Sequence, residues 1–239
     1  MKHFQIIILN ILLVSQFCFA SSSVKIKQVQ GDVKVRQGLE EVWHSAGQGL
    51  ILKTIDTILT GENATVTLEL EEGLTFKLGS NAILDIGDLR KITEQELFLY
   101  LTSQKVGRIQ TPKQGSLHIE NVSVVRGSRV GSDSGDSAVT YTQNYQLELN
   151  GAKALQSQAY FANAIVKLYK IKQKYPTVKT YGEIDFCLAQ AFEQVGQSGR
   201  AVDAYQEAVV CAEKEPATNS LSTRIKQLST EAISRLKVQ

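Results

Sequence analysis

Apolar and polar positions alternate at a period of two from Val24 to about Val130, then recur at helical spacing from Tyr145 to the end of the chain. The runs Val24/Ile26, Val33/Val35, Val66/Leu68/Leu70, Leu74/Phe76/Leu78, Leu84/Ile86 and Leu97/Leu99/Leu101 each set one row of side chains on one face of a strand. The strongest local signal runs from Ala64 to Leu78, where Glu71-Glu72-Gly73 joins two alternating segments; it predicts a β-hairpin. Further turn residues at Gln30-Gly31-Asp32, Gln37-Gly38, Thr60-Gly61-Glu62-Asn63 and Leu78-Gly79-Ser80-Asn81 keep the strands short and evenly spaced. Such spacing predicts an all-β sandwich, barrel or coil of strands.

In the second half, Ala164, Leu168 and Ile171 recur as Ala201, Tyr205 and Ala208, each displaced by 37 residues, and Pro176 closes the first copy. An offset of this size marks an internal helical repeat. Leu221, Ile225, Leu228, Ile233 and Leu236 form one more amphipathic stretch, read as a capping helix. The expected fold class is therefore two-domain, β then α: a β domain over 24–130, a polar linker over 131–144 and a helical domain over 145–237. Two repeats and a cap are fewer than a free-standing array needs, so the helical half is expected to lean on the β domain or on a partner.

Residues 1–20 stand apart from this pattern. Lys2 precedes the apolar run Ile6 to Val14, and Phe19-Ala20 then meets three serines, which reads as a secretory signal peptide cleaved near Ala20. No later stretch has the ~20 apolar residues of a membrane span, so no stable span is expected after processing. Removing Lys2 from 26 basic residues leaves 25 against 24 acidic ones, a balance with no field to attract nucleic acid. Cys187 and Cys211 remain in the mature chain, both on predicted helices; a disulfide and two buried thiols are both open.

The β half resembles the FecR domain family of bacterial extracytoplasmic proteins over roughly residues 29–128. The resemblance is carried by Val29-Gln30-Gly31-Asp32-Val33, Trp43, Ala46, Gly49-Leu50, Asp56-Thr57-Ile58-Leu59-Thr60-Gly61-Glu62-Asn63-Ala64, the Glu72-Gly73 hairpin, Leu78-Gly79-Ser80-Asn81-Ala82 and Val125-Arg126-Gly127-Ser128. It departs from the family pattern at Ile55, usually Gly, and at Ser128, more often Thr. The resemblance implies a compact extracytoplasmic domain for sensing or binding. Family members that control transcription also carry a membrane helix and a cytoplasmic segment; a cleaved signal leaves no cytoplasmic portion here, so that role is expected only if the signal is retained as an anchor, and even then only about five residues precede the apolar run.

The helical half resembles the tetratricopeptide repeat family over roughly residues 145–215, through Leu188-Ala189, Phe192, Gly196, Ala201, Tyr205 and Ala208 in the second copy and Ala152, Leu155, Ala159, Ala164, Leu168, Ile171 and Pro176 in the first. Gly151 stands where the second copy has Leu188, a substitution that weakens a helix. The resemblance implies a partner-binding inner face at Gln146, Leu149, Lys153, Gln156, Glu183, Phe186, Gln190 and Glu193, with Phe186 as the exposed aromatic anchor.

No Gly-x-Ser-x-Gly, His-Glu-x-x-His or phosphate-cradling Gly loop occurs. Neither His44 nor His118 has a Cys near it in sequence. Trp43 is expected in the core in preference to a sugar-stacking surface. Asp133 and Asp136 do not have EF-hand spacing. No catalytic, cofactor-binding or metal-binding residue is expected. The reading is a periplasmic, non-enzymatic adaptor whose partners are an envelope protein or peptide, with a cell-wall glycan binder as the alternative. A hydrolase using scattered acids such as Asp56 and Asp85 ranks last.

Overall fold

A computed structural model describes residues 23–106, 136–214 and 219–238. The signal segment, Val125–Ser128, His118 and the first part of the expected linker lie outside the described residues. The architecture is β then α, as the change of period predicts.

Among the described residues, eight strands form two antiparallel four-stranded sheets. They are β1 (Val24–Gln30), β2 (Val33–Arg36), β3 (His44–Ser45), β4 (Ile51–Leu52), β5 (Thr57–Thr60), β6 (Thr65–Glu69), β7 (Thr75–Leu78) and β8 (Ala82–Asp85). One sheet has the order β4-β1-β6-β7 and the other β3-β2-β5-β8. Ile26, Val66, Leu68, Phe76 and Leu78 from the first share one core with Val33, Val35, Ile58 and Leu84 from the second. The predicted hairpin forms with Leu68 opposite Phe76, its turn a 3₁₀ segment over Glu71–Gly73.

The chain changes sheet at corners that stack on one another. Gly61 N–H donates to Asp32 O at 2.8 Å and Gly61 O accepts from Asn81 N–H at 3.0 Å. A β-carbon on Gly31 would stand 2.9 Å from Ala64 Cα, so only glycine fits there. Asn63 and Asn81 both adopt positive φ, 55° and 51°, a conformation Asn tolerates better than most residues.

Six helices follow among the described residues: α1 (Glu94–Val106), α2 (Asp136–Ser157), α3 (Phe161–Lys174), α4 (Glu183–Gln194), α5 (Ser198–Glu213) and α6 (Ser220–Lys237). Helix α1 corrects the strand expected at Leu97/Leu99/Leu101. Leu97 and Leu101, four apart, are buried while Leu99 is exposed, so the true period there is helical. Thr93 and Glu96 form a capping box that starts α1: Thr93 N–H donates to Glu96 Oε2 at 2.9 Å and Glu96 N–H to Thr93 Oγ1 at 3.2 Å. Helix α1 packs in the helical core, not with the sheets. Helix α2 begins at Asp136, inside the stretch expected as a linker.

The 37-residue repeat appears in burial: Ala152 and Ala189, Ala164 and Ala201, and Ile171 and Ala208 are each fully buried. The repeats are the hairpins α2–α3 and α4–α5, followed by α6. The helical half does lean on the β domain, because Leu155 of α2 and Ala164 of α3 belong to the core of the sandwich.

Candidate functional site

The two halves meet along β8, and polar side chains fasten them. Gly151 of α2 faces the Ile83 carbonyl so closely that an added β-carbon would overlap it. Asn150 Nδ2 donates to Asn81 O at 2.7 Å. Gln158 treats β7 as a neighbouring strand would, accepting from Lys77 N–H at 2.7 Å and donating to Lys77 O at 2.8 Å. Asn163 Nδ2 donates to Asp88 O at 2.7 Å and Arg90 O at 2.6 Å, and the Tyr160 ring meets Phe76 edge-on at 5.6 Å.

At the centre of this seam Lys167 Nζ lies 2.6 Å from Asp88 Oδ2, with side chains only 4% and 9% exposed, and 3.6 Å from Asp85 Oδ2. Burial alone would lower the Lys167 pKa, but Asp88 and Asp85 outweigh it and hold the ammonium above the usual lysine value. Burial would likewise raise Asp85, yet Lys167, the Thr57 hydroxyl and Lys170 keep its carboxyl below the usual range. The chain of contacts continues through Thr57 Oγ1, which donates to Asp85 Oδ1 at 2.9 Å, to Arg36, which donates to Thr57 Oγ1 at 3.2 Å.

Beside the seam a half-open cleft of about 600 Å³ is walled by both halves. Leu70 and Leu74 come from the hairpin turn, Ile86 and Leu89 from the 3₁₀ turn after β8, and Tyr160, Phe161 and Asn163 from the start of α3. Its lining is mostly apolar, with Glu71, Arg90 and Lys91 as the charged residues. Leu74 is 57% exposed, a large apolar side chain left open to a concave surface. Size, lining and position between two modules match a binding site. The sequence reading missed this cleft.

Of the eight residues expected on the inner face of the repeats, Lys153 borders a second, more open hollow of about 520 Å³ with Asn150 and Gln158, and most are engaged within the chain. Leu149 is fully buried and part of the helical core, which corrects its assignment to a groove. Lys153 pairs with Glu183 at 2.5 Å, Gln156 Nε2 donates to Cys187 O at 2.7 Å, and Glu193 accepts from Tyr205 at 3.0 Å and Arg235 at 2.6 Å. Phe186 is half-buried, its ring 5.8 Å from that of Tyr205, and packs against both helical clusters; it is not an exposed anchor. Gln146 and Gln190 alone of the eight are exposed.

Trp43 is half-buried and belongs to neither core, with the Arg36 guanidinium 5.3 Å from its ring centroid, which corrects the expectation of core packing. His44 contacts Glu40 at 3.3 Å on the surface. Asp56 is buried, and its carboxylate accepts from Gly38 N–H and Lys53 N–H, so it fixes loops. Cys187 and Cys211 are free thiols, and burial pushes the Cys187 pKa up to about 12. Among the described residues no three His, Cys, Asp or Glu side chains gather as a metal site, and no helix is long and apolar enough to cross a membrane.

No family model matches the chain, and neither a curated protein nor a solved structure matches it.

Proposed function

We propose that this chain is an exported, non-enzymatic adaptor of the bacterial envelope, in which the FecR-like half recognises an envelope component and the tetratricopeptide-like half a protein partner. The observation that carries the reading is the cleft of about 600 Å³ between the halves, held open by a seam of buried polar contacts. A rigid concave surface needs little reordering on binding, which favours recognition over loose encounter. The glycan-binding alternative is supported by one feature: Trp43 lies outside both cores beside Arg36, a partly open ring of the kind that stacks on sugars.

The test is photo-cross-linking in living cells. A benzophenone amino acid replaces Leu74 in the cleft, Gln190 on the inner face of the repeats, Trp43, or Asp203 on exposed α5 as a control. Adducts with envelope proteins are expected from Leu74 and not from Asp203. Adducts from Gln190 alone would move the site to the inner face, and glycan adducts from Trp43 alone would establish the alternative. The absence of adducts at all positions would reject the adaptor. N-terminal sequencing of the exported form should begin at or near Ser21; an intact Met1 chain in the membrane fraction would restore the signalling reading.

A further inference from the structure

An apolar tip stands next to the cleft. Leu39 is 99% exposed, Ile55 66% and Val42 61%. Single exposed apolar residues are ordinary, but the loop that carries Leu39 and Val42 and the loop that carries Ile55 are held together. A β-carbon on Gly38 would lie 3.3 Å from Ile55 Cδ1, and the buried Asp56 carboxylate ties both loops, binding Gly38 N–H at 2.9 Å and Lys53 N–H at 2.8 Å. The side chains are thus presented on ordered backbone before any partner arrives, as an interaction patch requires.

The charges beside the two surfaces differ in balance. Glu40 and Glu41 lie between Leu39 and Val42 in the tip, whereas Arg90 and Lys91 line the cleft beside a single acid, Glu71. Arg90 is occupied by Glu96 at 2.8 Å, and Lys91 has no ion-pair partner among the described residues. Thr54, which precedes Ile55, is itself part of the cleft wall, so protrusion and cavity are side by side on one surface. A surface carrying a feature and its complement can pair with itself about a two-fold axis, each copy giving and receiving once. The near balance of 25 basic and 24 acidic residues once Lys2 is removed sets little repulsion against such pairing.

We propose that the mature chain forms a reciprocal dimer in which Leu39, Val42 and Ile55 of each copy enter the cleft of the other, with Glu41 set against Lys91. The proposal rests on the reading of the cleft as a binding surface and names a second copy as its occupant. An anionic membrane is disfavoured as the occupant of the tip by its two adjacent glutamates.

Sedimentation equilibrium of the mature full-length chain across a wide concentration range tests it. A monomer–dimer equilibrium is expected, weakened about tenfold or more by Leu39→Asp and equally by Leu74→Asp. Both sites are exposed, and unchanged circular dichroism melts should show that each variant is folded. Mixing the two variants should recover part of the association, because the mixed dimer contains one intact tip-in-cleft contact and concentrates both substitutions in the other. Glu41→Lys should weaken the dimer, and adding Lys91→Glu should restore it. A monomeric wild type, an open-ended polymer, or variants that dimerise normally would each overturn the proposal, as would tip-dependent binding to phosphatidylglycerol vesicles without dimerisation. If wild type is monomeric while cross-links from Leu74 reach other envelope proteins, the adaptor reading stands and the dimer alone falls.

Discussion

The Ile83 carbonyl oxygen lies 2.0 Å from the point where a β-carbon on Gly151 would stand, so α2 and β8 meet backbone to backbone. Sequence comparison of the two repeats made Gly151 a weak point, because Leu188 occupies its place in the second copy. Their surroundings differ: Leu188 fills the helical core, whereas Gly151 faces the edge of a sheet.

Gly151→Ala therefore sets two effects against each other. Alanine gains about 1 kcal/mol of helix propensity. Overpacking costs about 1–3 kcal/mol, and here the obstacle is a carbonyl on a strand, which no rotamer change relieves. Net destabilisation is expected in chemical denaturation. A higher melting temperature would show that α2 does not rest on β8.

Lys167 and Asp88 hold the same seam by charge. Lys167→Met should cost about 3–5 kcal/mol because Asp88 is left buried without its nearest cation, and adding Asp88→Leu should recover much of that loss. Exposed Lys170, 3.5 Å from Asp88, softens the single-variant cost. The pH dependence has a definite sign. With its folded pKa raised, Lys167 contributes fully below the ordinary lysine value of 10.5 and loses that contribution as pH rises through the folded value. With its folded pKa lowered, Asp85 contributes above the ordinary value of 3.8 and loses that contribution as pH falls through the folded value. The stability difference between wild type and Lys167→Met should be constant between those limits and shrink beyond each. A difference that changes near neutrality would contradict the assignment.

The two-part division, the hairpin, the turn corners and the repeat register were legible because each depends on local pattern: alternation, turn residues or small side chains at fixed spacing. Helix α1 was misread because three leucines two apart satisfy a strand pattern, while two of them four apart satisfy a helix. Thr93-x-x-Glu96 was the decisive signal, and a capping box outweighs a three-residue alternation. The cleft was not legible because its walls come from segments as far apart as Leu70 and Asn163, which only the docking of α2 and α3 on the sandwich brings together. The inner-face residues were placed by family resemblance, which fixes helix register but not which side chains pair with one another.

Gln158 guards the exposed edge of β7, where unpaired backbone groups would invite another strand. Gln158→Ala removes both hydrogen bonds to Lys77. Water replaces them at this exposed edge, so a stability loss of only about 1–2 kcal/mol is expected. The larger effect should be aggregation on heating, measured by light scattering. Gln158→Glu, which keeps the acceptor and loses the donor, should fall between. Wild-type aggregation from Gln158→Ala would show that the edge needs no guard.

Phe186 separates a groove from a core. Its ring packs edge-on against Tyr205 at 5.8 Å and touches both helical clusters, so Phe186→Ala should cost about 1–3 kcal/mol, less than a fully buried phenylalanine because the side chain is only partly buried. Leu149→Ala should cost about 2–5 kcal/mol, since Leu149 is fully buried. Gln190→Ala, on the exposed face of the same helix as Phe186, should change stability by no more than about 0.5 kcal/mol. Urea denaturation of the three variants gives the order directly. If Phe186→Ala is as silent as Gln190→Ala, its ring is free in solution and the inner face of the repeats regains its aromatic anchor.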